Sequence, residues 1–379
     1  MKKAAAVILC VILFLCGCGG KGKNKTTRIY ETGPYTTGVW MTYSEINLML
    51  KKGDFKSEFK KAAENLKTAK ITDLYFHVRP FCDSYYRSEF FPINSLAGDL
   101  DYDLLEYVIS TCHSEGIRVH AWINPYRVKR NTQDIESLDK KSPAYIWLTD
   151  GDTENDHNVI ICKEGIFLNP ASAEARMLVI NGIREILKNY AVDGIHFDDY
   201  FYPSTEEKTD EKDYSEYCSS VSSPLELSDW RRTNVNALIS GVYTAVKFEN
   251  KNITFSISPA ASIEKNYSDL YADIRQWIKC GCVDDIIPQL YFGFEYPDKD
   301  FCFDKLLEVW EEAVKGSNVR LIAGLASYKI GTTAPADKEE WANGEEIISK
   351  QVSICKSDKN ISGHIYFSYS YLFSENIKQ

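Results

Sequence analysis

Beyond residue 36 the apolar positions follow two alternating rhythms. Short apolar or alternating segments of strand type occur at 38–43, 73–79, 118–124, 194–200, 253–258, 285–291, 320–325 and 363–368. Pro288 interrupts the sixth, and a residue without an amide hydrogen predicts a kink or bulge there. Between the strands apolar residues recur at helical spacing. Phe55, Phe59, Ala62, Leu66 and Ala69 form one such series. Asp101 or Asp103 caps the next helix, in which Leu104, Leu105, Val108, Ile109 and Cys112 share a face and Gly116 supplies the stop. Further helices fit 173–190, 225–248, 269–280, 303–315 and 343–356.

Eight strands joined by crossover helices, with no low-complexity linker, predict one closed parallel (β/α)₈ barrel of the α/β class over residues 37–372, with 373–379 as a C-terminal tail. An open doubly wound sheet is the competing arrangement. No G-x-G-x-x-G turn follows the first strand, which removes the main reason to prefer a dinucleotide-binding sheet. Two connections, 127–170 and 201–224, are longer than ordinary barrel loops. Both follow the C-terminal end of a strand, where barrels place their active sites.

The first residues read as a processing signal. Lys2 and Lys3 precede an apolar run from Ala4 to Leu15, shorter than the ~20 residues a membrane span needs. The run ends in Leu15-Cys16-Gly17-Cys18, which resembles a bacterial lipobox. That resemblance implies a lipoprotein signal peptide over residues 1–17, lipidation of Cys18, and a Gly/Lys/Asn/Thr tether over 18–36. The expected location is outside the cytoplasmic membrane, anchored to it by lipid.

Charge is acidic, 44 Lys and Arg against 54 Asp and Glu, with no basic block beyond the leader and tether. Nucleic acid is therefore not an expected partner, since phosphate binding wants clustered cations. Aromatic residues make up 13% of the chain, which suits stacking on sugar rings as well as an aromatic core. Eight cysteines follow Cys18, at 82, 112, 162, 218, 280, 282, 302 and 355. An even count in an exported protein invites disulfides. Their irregular spacing favours mostly free thiols, and Cys280-Gly-Cys282 lacks the second close pair of a zinc ribbon.

Polar residues late in barrel strands point to the catalytic mouth. The second strand offers His77 and Arg79, with Asp83 just beyond; the third offers His120, Trp122 and Asn124, then Tyr126 and Arg127. The fourth carries His196, Asp198, Asp199 and Tyr200, and the sixth Gln289 and Tyr291, then Glu295. Glycoside hydrolysis needs one carboxylic acid to protonate the leaving oxygen and a second group as nucleophile or base. Adjacent strand residues face opposite ways. His196, Asp198 and Tyr200 share one face, while Ile195 and Phe197 are natural helix-packing residues, so Asp198 is the inward candidate. Asp199 either turns back toward substrate or fastens Arg79 or Arg127. Glu295 is the expected partner carboxylate, with Asp83 as an alternative. His77, His120 and His196 could converge on zinc, but histidines so placed more often hydrogen-bond substrate or neighbours; no metal or cofactor is assigned.

At these residues the chain resembles the glycosyl hydrolase-like 10 family of bacterial lipoproteins and secreted proteins. The resemblance runs from Gly38 to about Tyr371 through "GVWMTY", "YFHVRPFCDSYYRS", "GIRVHAWINPYRV", "LNP", "VDGIHFDDYFYP", "DIRQWI", "IIPQLYF" and "GLASYKI". It implies a (β/α)₈ barrel and a glycoside hydrolase acting on a cell-wall glycan, including peptidoglycan stripped of its peptides. Asp198 and Asp199 fall on the family's "DGI-x-FDDYFYP" signature. Strand four also resembles the D-G-x-D-x-D-x-E signature of family-18 chitinases. It departs from that signature at His196 and at Tyr200, which stands where the catalytic glutamate would be. The seventh strand ends Gly324-Leu-Ala-Ser-Tyr328 without a carboxylate. Three readings follow: a glycosidase of a polymeric extracytoplasmic glycan, a catalytically silent glycan-binding lipoprotein on the same scaffold, or a metal-dependent hydrolase built on the histidines.

Overall fold

The computed structural model describes residues 34–333 and 340–373. Cys18, the leader and the tether up to residue 33 lie outside the described residues. So does the tail from residue 374.

Eleven strands are present among the described residues: β1 Thr36–Met41, β2 Asp73–Arg79, β3 Arg118–Ile123, β4 Arg127–Arg130, β5 Val159–Cys162, β6 Gly165–Leu168, β7 Gly194–Phe197, β8 Thr254–Ile257, β9 Asp285–Ile286, β10 Arg320–Leu325 and β11 Ile361–Phe367. Eight of them close a barrel in the order β1-β11-β10-β9-β8-β7-β3-β2, every pair parallel. This is a (β/α)₈ barrel, and its eight strands are the eight segments read from the sequence.

The helices are α1 Tyr43–Lys51, α2 Phe55–Thr68, α3 Leu104–Ser114, α4 Pro143–Thr149, α5 Ala173–Asn189, α6 Glu211–Ser220, α7 Leu227–Glu249, α8 Ile263–Asp269, α9 Ile274–Cys280, α10 Phe303–Val314, α11 Gly344–Ser357 and α12 Tyr369–Phe373. Local chemistry sets their limits. Asp103, not Asp101, caps α3 by accepting from the Glu106 amide at 3.0 Å, and Gly116 at φ +75° turns the chain out of it. In α10, Phe303, Leu306, Leu307, Trp310 and Val314 form the buried stripe. Each large side chain so removed from water contributes ~1.5–3 kcal/mol. The single helix expected over 269–280 is instead α8 and α9, because Tyr271 takes φ +53° and Asp273 caps a fresh helix.

Two strands are shorter than their apolar pattern. β9 holds regular pairing only at Asp285 and Ile286. Pro288 lacks an amide hydrogen, and the chain passes on through isolated bridges of Gln289 to Ala260 and Gly324. β7 ends at Phe197, so Asp198, Asp199 and Tyr200 stand just beyond the ladder. The connection 127–170 folds into an antiparallel sheet, β4-β6-β5, which periodicity had not announced. The connection after β7 is tied down by Arg231 of α7. Its guanidinium donates to Asp210 at 2.6 Å, to the Tyr271 hydroxyl at 2.9 Å and to the Glu206 carbonyl at 2.8 Å.

All eight cysteines among the described residues are free thiols.

Candidate active site

Inside the barrel, strand register stacks the inward side chains in layers. His77, Trp122, His196 and Ser256 share one level across β2, β3, β7 and β8. The His77 ring lies on Trp122, with centroids 3.7 Å apart. Trp40 Nε1 donates to His196 Nε2 at 3.0 Å, which leaves Nδ1 of that ring to donate to Ser256 Oγ at 2.8 Å. His196 is therefore a neutral imidazole with both nitrogens committed, and burial pushes its pKa well below the ordinary value. Among the described residues no three His, Cys, Asp or Glu side chains are grouped to hold a metal ion.

One step above this layer a cavity of about 170 Å³ opens at the strand C-termini. Asp198 and Asp199 line it with Tyr200, Trp122, His77, Gln289, Tyr291 and Arg127. A larger groove of about 300 Å³ between α2 and α3 lies on the outer helix ring, away from every strand-end polar group.

Asp198 is 4% exposed. Its Oδ2 accepts from Trp122 Nε1 at 3.2 Å and from Asn124 Nδ2 at 3.3 Å. Burial, and then the neighbouring Asp199 charge, push its pKa up to about 7, although Arg127 and the Trp122 hydrogen bond pull the other way. Asp199 is raised too, by burial, against the Gln289 amide and Arg127. Asn124 also shapes the wall of the cavity, because its Oδ1 accepts from the Arg127 amide at 3.1 Å and so sets the start of β4 beside Asp198. The Arg127 guanidinium lies 3.6 Å from the centre of the Tyr200 ring.

The structure thus brings His77, Trp122, Arg127, His196, Asp198, Asp199, Tyr200, Gln289 and Tyr291 to one cavity, with Asn124 bonded to its central carboxylate. Five other sequence candidates lie elsewhere. A bulge after His77 leaves Arg79 paired with outward-facing Ile123. Arg79 therefore packs into the helix layer, 4.2 Å from the Phe91 ring centre and against Gly182 of α5, where a Cβ would come within 2.6 Å of it. His120 faces inward but a layer too low. It binds Asp73 at 2.8 Å and stacks on Tyr75, and its ring occupies the space a side chain at Gly194 would need. Tyr126 is fully buried in the core, and Asp83 accepts from Asn94 within its own loop at 2.7 Å. Glu295 is corrected outright as the partner carboxylate. Its side chain is 73% exposed and meets Lys299 at 3.7 Å. The Glu340 carboxylate holds the amides of Phe294 and Glu295, and the chain has already turned away from the cavity there.

Trp40, Thr42, Tyr43, Ser258, Phe367 and Arg130 also line the cavity and were not singled out from the sequence. All but Arg130 end the first, fifth and eighth strand segments, so the strand-end rule applied to those strands would have found them.

Comparison with known proteins bears on the family and the fold. The model of the family described as Glycosyl hydrolase-like 10 matches residues 36–343. The chain is 29% identical to glycosyl hydrolase YngK of Bacillus subtilis (strain 168), over 87% of this chain and 67% of that protein. It is 26% identical to glycosyl hydrolase DigH of Escherichia coli (strain K12), over 99% of this chain and 94% of that protein. Among solved structures it is similar to the glycoside hydrolase domain of PgaB (BpsB) from Bordetella bronchiseptica, with a TM-score of 0.57 at 14% identity, covering 90% of this chain and 96% of the other. A family-18 chitinase from Cycas revoluta gives a TM-score of 0.51 at 11% identity, covering 89% and 95%. At these identities the two structures speak to the barrel fold.

Proposed function

Because this chain belongs to the Glycosyl hydrolase-like 10 family, and is on that ground a glycoside hydrolase, we propose that it cleaves a polymeric extracytoplasmic glycan, the peptide-free glycan strands of the cell wall, with Asp198 as general acid. The observation that carries this reading is the state of Asp198: a carboxyl at the foot of an aromatic-walled cavity, with its pKa pushed up to about 7. Such a group still holds a proton near neutrality and gives it to a leaving glycosidic oxygen. Oδ2 is already taken by two donors, so the transferable proton sits on Oδ1, whose hydrogen-bond donor among the described residues is the Tyr200 amide at 3.5 Å.

Asp199, beside it and less buried, is the second carboxylate, steadied by Gln289. It supports the positive charge that develops on the sugar or positions the attacking group. Trp122, Tyr200 and Tyr291 offer ring faces for the sugar. The lipobox-like leader supports an enzyme tethered outside the membrane through Cys18, where such strands are found.

The test is release of reducing ends from purified peptide-free strands, 2-acetamido-sugar homopolymers and common neutral polysaccharides. Asp198→Asn is expected to lower turnover ~10²–10⁴-fold with an unchanged far-UV spectrum and melting profile near pH 4. Cleavage of none of these glycans by the wild-type protein would instead favour a glycan-binding role. Cleavage undiminished in Asp198→Asn would remove Asp198 as the acid.

A further inference from the structure

Among the described residues two of the four buried arginines have anionic partners, and two are exceptions. Arg231 binds Asp210 at 2.6 Å, and Arg232 binds Asp229 at 2.6 Å. Arg79 has no ion-pair partner among the described residues but packs into the helix layer against the Phe91 ring. Arg127 is the other exception, and it lines the cavity that holds Asp198 and Asp199.

Arg127 is 6% exposed, and its Nε has no hydrogen-bond partner. Among the described residues no carboxylate oxygen lies within the 4.0 Å of an ion pair. Asp198 and Asp199 feel its charge only through space. The guanidinium is nevertheless held firmly. One face rests on Tyr200, and its backbone is pinned by Asn124 and by pairing with Phe167. Arg130, three residues on, is exposed at the rim of the same cavity. His77 lines it too, with both ring nitrogens buried and unpartnered.

A guanidinium taken out of water without an anion is costly, and a planar fork aimed into a cavity matches a carboxylate. We propose that Arg127, with Arg130 at the rim, forms a subsite for a carboxylate borne by a sugar of the substrate, so that the enzyme selects acidic glycans. The inference rests on the glycosidase reading and narrows its substrate. The recognised chemistry is a free carboxylate on a ring, carried either by a lactyl ether or as the C6 group of a hexuronic acid. A peptide attached to the lactyl group turns that carboxylate into an amide and removes its charge. The subsite thereby gives a chemical reason for peptide-free strands to be preferred.

The experiment measures kcat/KM of the full chain on four series matched in length. These are strands with free lactyl carboxylates, the same strands with those groups converted to methylamides, a neutral 2-acetamido-sugar homopolymer, and a hexuronate-containing oligomer. The free acid is expected to exceed its methylamide by ~10-fold or more, the scale of a lost charge-assisted contact in a binding site. Arg127→Met should bring that ratio close to one, and Arg127→Lys should restore part of it. Arg130→Ala, at an exposed position with little risk to folding, should raise KM for the acidic series by a larger factor than for the neutral series.

Preference for the hexuronate series would support the subsite and assign its source to the uronic acid. A wild-type ratio of one would overturn the proposal while leaving the glycosidase intact, provided the neutral homopolymer is cleaved. So would an Arg127→Met variant, folded by thermal melting, that slows acid and amide equally; Arg127 would then serve only the aspartates. If no series is cleaved, the glycosidase reading falls and the subsite with it.

Discussion

Two buried aspartates at opposite ends of the same barrel have opposite acidities. Asp73, at the start of β2, accepts from Arg118 Nε at 2.8 Å and Nη2 at 2.7 Å, from His120 at 2.8 Å and from Thr72 Oγ1 at 2.6 Å. Burial alone would raise its pKa, but His120 and Arg118 more than reverse that, and the carboxyl is held well below the usual range. Asp198, at the mouth, has neutral donors at 3.2 and 3.3 Å and a like charge next door. Burial wins there. Depth inside the barrel is common to both, and the difference lies in the partners. Asp73 is paired and ties β2 to β3; Asp198 is left short of cationic partners and so keeps a proton that it can give away.

The first way to break this contrast is through stability. Asp73→Asn removes a buried anion from His120 and from the half-exposed Arg118 and should cost up to about 3 kcal/mol, read from urea unfolding at pH 7. The folded fraction should still cleave glycan. Because the pKa of Asp73 is lowered by folding, its stabilisation is present above about pH 4 and disappears as pH falls through the folded value. A variant as stable as the wild type would show the base pairing to be idle.

Asp198 carries the opposite sign. Its folded pKa of about 7 exceeds the ordinary 3.8, so stability falls as pH rises between those values and levels off above about 7. The difference is worth up to about 4 kcal/mol. Asp198→Asn, which cannot ionise, should melt several degrees above the wild type at pH 8 and equal it near pH 4. Equal melting at both pH values would mean that the carboxylate is better solvated than its burial suggests.

The smallest effect concerns the pH profile. An acid at about 7 gives kcat an alkaline limb near that pH. Arg127 pulls the Asp198 pKa down, so Arg127→Met should move the limb upward by up to about one pH unit. Loss of the Trp122 donor in Trp122→Phe should move it the same way by less. A limb that stays in place in both variants would assign it to another group.

Much of this was legible in the residues. The eight strand segments, and a cap at Asp101 or Asp103, follow from local periodicity and capping chemistry; the structure chose Asp103. The inward direction of Asp198 follows from strand parity, because Phe197 and Ile195 must face the helices. The Pro288 kink follows from a missing amide hydrogen. The failures share one cause. Arg79 obeys the same parity as His77 until a single-residue bulge reverses it, and no residue type announces that bulge. His120 faces inward as expected, yet it belongs to the lower layer, because height along the barrel axis depends on strand stagger. Glu295 seemed near because it follows Tyr291 closely in sequence, but the Glu340 carboxylate bends the backbone away.

The sequence by itself determined the kind and order of the barrel's elements, the strand that carries the acid, and the side of that strand on which the acid lies. These depend on periodicity, caps and turns within a few residues. The tertiary structure alone decided which charges meet. Asp73 received Arg118 from the adjacent strand, Arg127 was left facing a cavity, and Asp198 was left with an anion beside it and no paired cation. Pairing across strands depends on register and closure, which bring together residues far apart in the chain, and a carboxyl's acidity is set by those neighbours.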